Sequence, residues 1–208
     1  TPLTYDGSDP TYRLIGERFF SRLKPGAWFC NAGRGEVVDE AALGRALDAG
    51  RLDAAILDVW DHEPAIDGPL VARVDIGTPH IAGYSLEGKL NGTAMVYDAA
   101  CRFLGVEPSW NAASAAPPPP VPQLTIAAAG RDEVDVLTEA VTAVYPIARD
   151  CDALRRTAEM TPVERGQVFD DLRRRYPTRR EFRQTAVAVT GGSSAMVGTL
   201  RGLQFRVP

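Results

Sequence analysis

Cysteine is scarce. Cys30, Cys101 and Cys151 are the only three in 208 residues, they are far apart, and no C-x-x-C pair occurs. That excludes a disulfide framework as the source of stability and reads as reduced thiols in a cytoplasmic protein. Histidine is scarcer still: His62 and His80 are the only two. With no H-E-x-x-H helix, His62, Glu63 and His80 on loops make a poor ligand set, and no metal is expected. No apolar run is long enough for a membrane span. Thr1-Pro2-Leu3-Thr4 shows no basic segment leading into an apolar one, so no secretory signal is expected there. Nor does charge of one sign dominate: the formal net charge is −4, which argues against nucleic acid as a main partner.

One further absence is local. A complete dinucleotide-binding unit opens with strand, G-x-G-x-x-G and helix. The only G-x-G here is Gly33-Arg34-Gly35, and it continues Glu36-Val37-Val38 without the third glycine. The phosphate cradle is not in this chain.

The rest has the balance of an ordinary globular protein, 45% hydrophobic and 24% charged. Charge is uneven along it. Residues 1–122 hold 10 Lys and Arg against 16 Asp and Glu, whereas residues 123–208 hold 13 and 11, the basic ones all arginine. Interleaved acidic residues make that tail a solvated or subunit-pairing face sooner than an RNA-binding one.

The apolar run Ala27-Trp28-Phe29-Cys30 predicts a buried strand, followed by the turn Asn31 to Gly35 and a helix from about 39 to 48 capped by Asp39 and closed by Gly50. Residues 15–23 have helical spacing. Leu52 to Trp60 predicts a second strand ending in Asp61-His62-Glu63-Pro64, Leu70 to Val74 a short connection, and Asp75 onward a third strand entering the loop at His80. Residues 1–84 thus predict half of a parallel α/β sheet with helices on its faces. Ligands in such sheets sit beyond the carboxyl ends of the strands, and Arg34, Glu63 and His80 each fall there.

Residues 85–106 predict one long helix, capped by Ser85 and closed by Gly105, whose stripe Leu86, Leu90, Ala94, Tyr97, Cys101 and Leu104 reads as core. Residues 107–122 end in Pro117-Pro118-Pro119-Pro120-Val121-Pro122, a semi-rigid spacer that also contains a P-x-x-P pattern. Residues 123–208 predict a small α/β unit. Its elements are a strand at Leu124, a helix from Glu133 to Tyr145, a capping box at Thr161-Pro162-Val163-Glu164, a strand at Thr185 to Thr190, a helix from Ser193 to Arg201 and a last strand from Leu203 to Val207. Gly191-Gly192-Ser193-Ser194 is a turn before a helix that could also hold an anion.

Chemistry gathers on three residues. A carboxylate beside an imidazole favours the protonated ring. Such a ring can give a proton to a carbonyl oxygen or take one from a hydroxyl as hydride moves. An arginine nearby can bind a substrate carboxylate through two parallel hydrogen bonds. Arg34, Glu63 and His80 together compose the polar half of a 2-hydroxy-acid dehydrogenase site. Taken singly they have plainer readings: a solvated arginine, a surface carboxylate, a structural histidine. Asp58, inside an apolar run, could orient a cofactor amide or cap a loop.

Asn31 to Asp39, Leu57-Asp58-Val59-Trp60-Asp61-His62-Glu63-Pro64 and Thr78-Pro79-His80-Ile81-Ala82-Gly83, with Thr1-Pro2-Leu3-Thr4 before them, resemble the ordered signature blocks of the NAD-dependent D-2-hydroxyacid dehydrogenase family. The resemblance covers about residues 1–105. It implies the second half of a Rossmann-type NAD-binding domain, a long crossover helix toward a substrate domain, and then a small α/β dimerisation domain. It implies Arg34 as the substrate-carboxylate arginine, Glu63 as the partner of His80, and His80 as acid and base. Cofactor contacts would come from Thr1, Ala32, Gly33, Arg34, Asp58 and Gly83, and substrate contacts from Arg34, His80 and Tyr84. Asp75 to Lys89 is closest to a branch that oxidises a small phosphorylated hydroxy acid and pairs as a homodimer through its C-terminal domain. A 3-phosphoglycerate-oxidising member with a regulatory tail, or a non-enzymatic binding protein with this fold, answers to the same residues.

Overall fold

A computed structural model describes every residue except Thr1, Ala112, Ala113 and Ala115. The chain divides into two units that interleave in sequence: residues 1–82 with 148–176, and residues 83–147 with 177–208.

In the first unit, β1 (Ala27–Asn31), β2 (Leu52–Leu57) and β3 (Ile76–Gly77) form a parallel sheet in that order. Phe29 lies opposite Ala55, and Leu57 opposite both Asn31 and Gly77, so the three carboxyl ends finish level. Parallel strands need long connections. α2 (Glu40–Asp48) makes the first, with Asp39 accepting the Ala42 N–H as its cap, and α3 (Gly68–Arg73) the second. The latter is a helix where the sequence predicts a short connection: six residues carry too little periodicity to be seen. The helix expected over 15–23 shortens to α1 (Glu17–Phe20). β2 stops at Leu57, three residues sooner than expected, although the Asp58 backbone still donates to Asn31 O at 2.9 Å and accepts from His80 N–H at 2.7 Å.

The core of this unit includes Phe20, Phe29, Leu43, Leu57, Trp60, Ile66 and Leu70, together with Leu154 and Phe169. The last two arrive on α6 (Ile147–Arg155) and α7 (Pro162–Arg174). The sequence reading assigns residues 123–208 to one tail unit and predicts α7 there, while α6 goes unpredicted. The structure instead groups residues 148–176 with the first unit because their apolar faces bury there. Arg165 fastens them. Its buried guanidinium donates to Ile66 O at 2.7 Å, Met160 O at 2.6 Å and Thr157 O at 3.1 Å. Gly68 faces this arginine so closely that a Cβ would sit 2.3 Å from Ala158 O.

The second unit holds α4 (Leu86–Leu104), β4 (Gln123–Ala127), α5 (Glu133–Val144), β5 (Ala186–Thr190) and α8 (Ser194–Gly202). β4 and β5 pair in parallel, Ile126 opposite Val189. Ile126, Val136, Ala140, Val187, Met196, Leu200 and Phe205 form its core. The last strand expected over 203–207 reduces to a single bridge between Ala186 and Arg206. α4 begins and ends as predicted, at the Ser85 cap and left-handed Gly105, but of its stripe Cys101 alone is buried. Only Glu87 and Cys101 are buried on it, and Leu104 is 68% exposed, as are Met95, Val96 and Phe103 to similar or greater degree.

Candidate active site

Three turns leave the carboxyl edge of the first sheet. After β1, the Asn31 side chain closes the turn at both ends: its Oδ1 accepts Gly33 N–H at 3.1 Å and its Nδ2 donates to Arg34 O at 3.0 Å. Arg34 has extended backbone, and its exposed guanidinium donates to Gly33 O at 2.8 Å. Gly35 follows because nothing larger fits: a Cβ there would lie 1.9 Å from Trp60 O. The arginine turn therefore rests directly on the peptide that begins the Glu63 loop.

That loop is pinned by its own side chains. Glu63 Oε1 accepts Trp60 N–H at 2.9 Å, while Glu63 Oε2 accepts from His80 Nδ1 at 2.7 Å. One carboxylate thus fixes its own loop and orients the imidazole. The ring's Nε2 makes no hydrogen bond among the described residues, and the side chain is 32% exposed. His80 also has φ +55°, a left-handed conformation uncommon for a residue with a side chain. What sustains it is Asp58. Its Oδ1 accepts from Thr78 Oγ1 at 2.6 Å and from Ile81 N–H at 2.8 Å, its Oδ2 accepts Ala82 N–H at 2.9 Å, and its carbonyl accepts His80 N–H at 2.7 Å. Buried Trp60 adds a brace, donating Nε1–H to Thr78 O at 3.0 Å. Of the two readings for Asp58, the geometry displays the loop cap.

The structure brings Glu63 and His80 into contact, and sets Arg34 on a neighbouring turn joined to them through Gly35 and Trp60. Ala32 is exposed and Gly33 half-buried on that turn. Gly83 and Tyr84 begin the second unit; Lys89 Nζ lies 4.4 Å from the Tyr84 ring centre. Thr1 lies outside the described residues. Two contributors escape the sequence reading. Thr78 offers a hydroxyl two residues before the histidine, a signal present but unweighed. Glu40 gives none, since its burial depends on the loop that folds over it. Its Oε1 accepts Asp61 N–H at 2.8 Å, and its carboxyl is pushed up from 4.5 to about 7, mainly by burial, with Asp61, Asp67 and Glu63 adding repulsion against the lowering effect of that N–H.

An imidazole held at Nδ1 by a carboxylate, an exposed guanidinium and exposed Ala32 give polar groups of the kind that the nicotinamide end of a dinucleotide would require. Among the described residues no group of three or more His, Cys, Asp or Glu could hold a metal ion, and no helix is long and apolar enough to cross a membrane.

Residues 3–82 match the family described as D-isomer specific 2-hydroxyacid dehydrogenase, NAD binding domain, and residues 116–203 match a domain of unknown function, DUF3410. Among curated proteins, the chain is 41% identical over 207 residues to erythronate-4-phosphate dehydrogenase of Marinobacter nauticus, covering 100% of the chain and 54% of that protein. It is 44% identical over 207 residues to the enzyme of the same name from Edwardsiella ictaluri, covering 100% and 53%. The chain therefore spans about half the length of these relatives and corresponds to their C-terminal portion. Among solved structures, apo D-mandelate dehydrogenase of Rhodotorula graminis is 38% identical over 39% of this chain and 25% of that one, with a TM-score of 0.36.

Proposed function

We propose that the chain is the catalytic C-terminal portion of an erythronate-4-phosphate dehydrogenase, a member of the D-isomer-specific 2-hydroxyacid dehydrogenase family whose NAD-binding domain residues 3–82 match. The reaction is oxidation of 4-phospho-D-erythronate to its 2-oxo acid, a step toward pyridoxal 5'-phosphate, in the cytoplasm.

The 2.7 Å contact between His80 and Glu63 carries this reading. When bound, NAD supplies a nicotinamide ring that takes up hydride. The chain's residues do the rest. His80 takes the proton of the substrate's 2-hydroxyl on Nε2, and Glu63 stabilises the positive ring that results while holding Nδ1 in place. Arg34 pairs with the substrate carboxylate, which requires its guanidinium to leave Gly33 O. Ala32, Gly33, Arg34 and Gly83 line the cofactor, and Asp58 contributes through the loop it caps. Tyr84 touches substrate. The C-terminal domain pairs two subunits into a homodimer.

The test is NAD reduction by the full-length enzyme with 4-phospho-D-erythronate and 3-phospho-D-glycerate in parallel. Preference for the first is expected, and His80→Asn should abolish turnover with the fold intact. Preference for the second overturns the substrate; unchanged turnover in His80→Asn overturns the acid–base assignment.

A further inference from the structure

The loop that carries Glu63 is held from two directions. Upstream, Trp60 N–H donates to Glu63 itself, and Glu40 accepts the Asp61 N–H. Downstream, the hold comes from the tail of the chain. Ile66 O accepts from Arg165 Nη1 at 2.7 Å. Gly68 lies against the same guanidinium, since a Cβ there would stand 2.4 Å from Arg165 Nη2. α7 also runs along Pro64: a Cβ on Gly166 would meet Pro64 O at 3.5 Å. The residues just after Glu63 therefore lie on α7 at Pro64, Ile66 and Gly68, and both stretches belong to the first unit.

Arg165 is more than packing. The residue is 7% exposed, and its hydrogen bonds go to the backbone carbonyls of Thr157, Ala158, Met160 and Ile66. Taking a charge out of water is costly, and an apolar side chain of similar volume would fill the space without that penalty. An apolar side chain cannot, however, fix the place of a chosen carbonyl, as the rigid fork of a guanidinium can. Thr157, Ala158 and Met160 lie in the turn between α6 and α7, close to Arg165 in the chain. Ile66 is 99 positions away. That one bond leaves the turn, and it ends on the segment between Glu63 and α3. Glu63 in turn has its other contact on His80 Nδ1 at 2.7 Å.

We propose that Arg165 is a positioning residue for the reaction: it sets the Glu63 loop so that the carboxylate meets His80, which makes α7, within the region matching a domain of unknown function, part of the catalytic apparatus. This rests on the reading above, in which His80 carries the substrate's proton and Glu63 stabilises the charged ring. Arg165 acts through Ile66 and Glu63.

The experiment uses the full-length enzyme with Arg165→Lys, Glu63→Gln and the double variant. Arg165→Lys keeps the charge and gives up the fork. It should lower kcat about tenfold, leaving the KM for NAD and for the phosphorylated hydroxy acid within about twofold. Gly166→Leu crowds Pro64 from the next position on α7 and should give the same pattern, so it serves if Arg165→Lys folds poorly. The double variant should be no slower than Glu63→Gln alone, since both changes act on one carboxylate. An unchanged kcat in a folded variant, losses that multiply in the double variant, or an equal rise in either KM would overturn the proposal. Amide hydrogen exchange gives a second readout without turnover. Trp60 N–H, which donates to Glu63 Oε1, should exchange faster in Arg165→Lys, while Leu43 N–H, bonded to Asp39 O at 3.0 Å, keeps its rate. Equal acceleration at both is a general loosening of the unit, and an unchanged rate at Trp60 means that the loop is held without Arg165; either result refutes the proposal. If the wild-type enzyme oxidises no phosphorylated hydroxy acid, the functional reading fails while the exchange result still decides whether Arg165 sets the Glu63 loop.

Discussion

Glu40 offers the sharpest quantitative test. Its carboxyl lies beneath the Asp61 loop, with Asp61, Asp67 and Glu63 close enough to repel it, and is pushed up to about 7 from 4.5. Between those two values the folded protein holds a proton that the unfolded chain has released. Stability must therefore fall as pH rises through this window. The penalty is absent below the unfolded value and complete above about 7. At about 1.4 kcal/mol per unit, the gap amounts to an upper bound of about 3 kcal/mol. Glu40→Gln keeps an oxygen to accept Asp61 N–H and removes the charge. The variant should match the parent below pH 4.5 and gain on it steadily, leading by up to about 3 kcal/mol at pH 8. Urea unfolding at a series of pH values checks this, followed through Trp60, which is 1% exposed and adjoins Asp61. A stability difference that stays constant with pH, or grows toward acid, would refute the reasoning.

Gly35→Ala should cost about 3 kcal/mol or more by thermal unfolding, since its Cβ would overlap Trp60 O and must displace either the arginine turn or the Glu63 loop. Asp58→Asn leaves at least one of its three donors, Thr78 Oγ1, Ile81 N–H or Ala82 N–H, without an acceptor. It should lower stability by about 1–3 kcal/mol and speed hydrogen exchange at Ile81 and Ala82. Arg165→Met removes the guanidinium donor from the carbonyls of Ile66 and Met160 and should destabilise the first unit by about 3 kcal/mol in urea, with little effect on the packing around Val136 and Leu200.

The sequence makes the parallel sheet and its rim legible because both rest on local signals. Ala27 to Cys30 is a short apolar run, Asp39 and Ser85 are caps with helices after them, and Gly33 and Gly35 mark a turn. Both Glu63 and His80 fall beyond strand ends, and their pairing is what the resemblance to the dehydrogenase family implies. What stays hidden depends on distant partners. α3 is too short to show a period. Glu40 looks like any first-turn glutamate until the Asp61 loop covers it. The α4 stripe has helical spacing, but spacing alone does not say that an element packs against it, and in the structure Leu104 and Phe103 face solvent. Leu154 and Phe169 look like tail core from their position in the chain; only the fold reveals that they belong under Phe20 and Trp60.

The interleaving of the two units bears on how the protein must be made. β4 cannot pair until β5 has been synthesised, some sixty residues later, and the first unit lacks Leu154 and Phe169 until α6 and α7 emerge between those two strands. Neither unit can therefore finish before the ribosome has passed most of the tail. Contacts so far apart in the chain slow folding and keep apolar surface exposed meanwhile. A stop codon in the proline spacer would do more than delete a terminal module: it would release a nascent sheet whose core is missing two of its buried side chains, a species suited to chaperone capture or degradation.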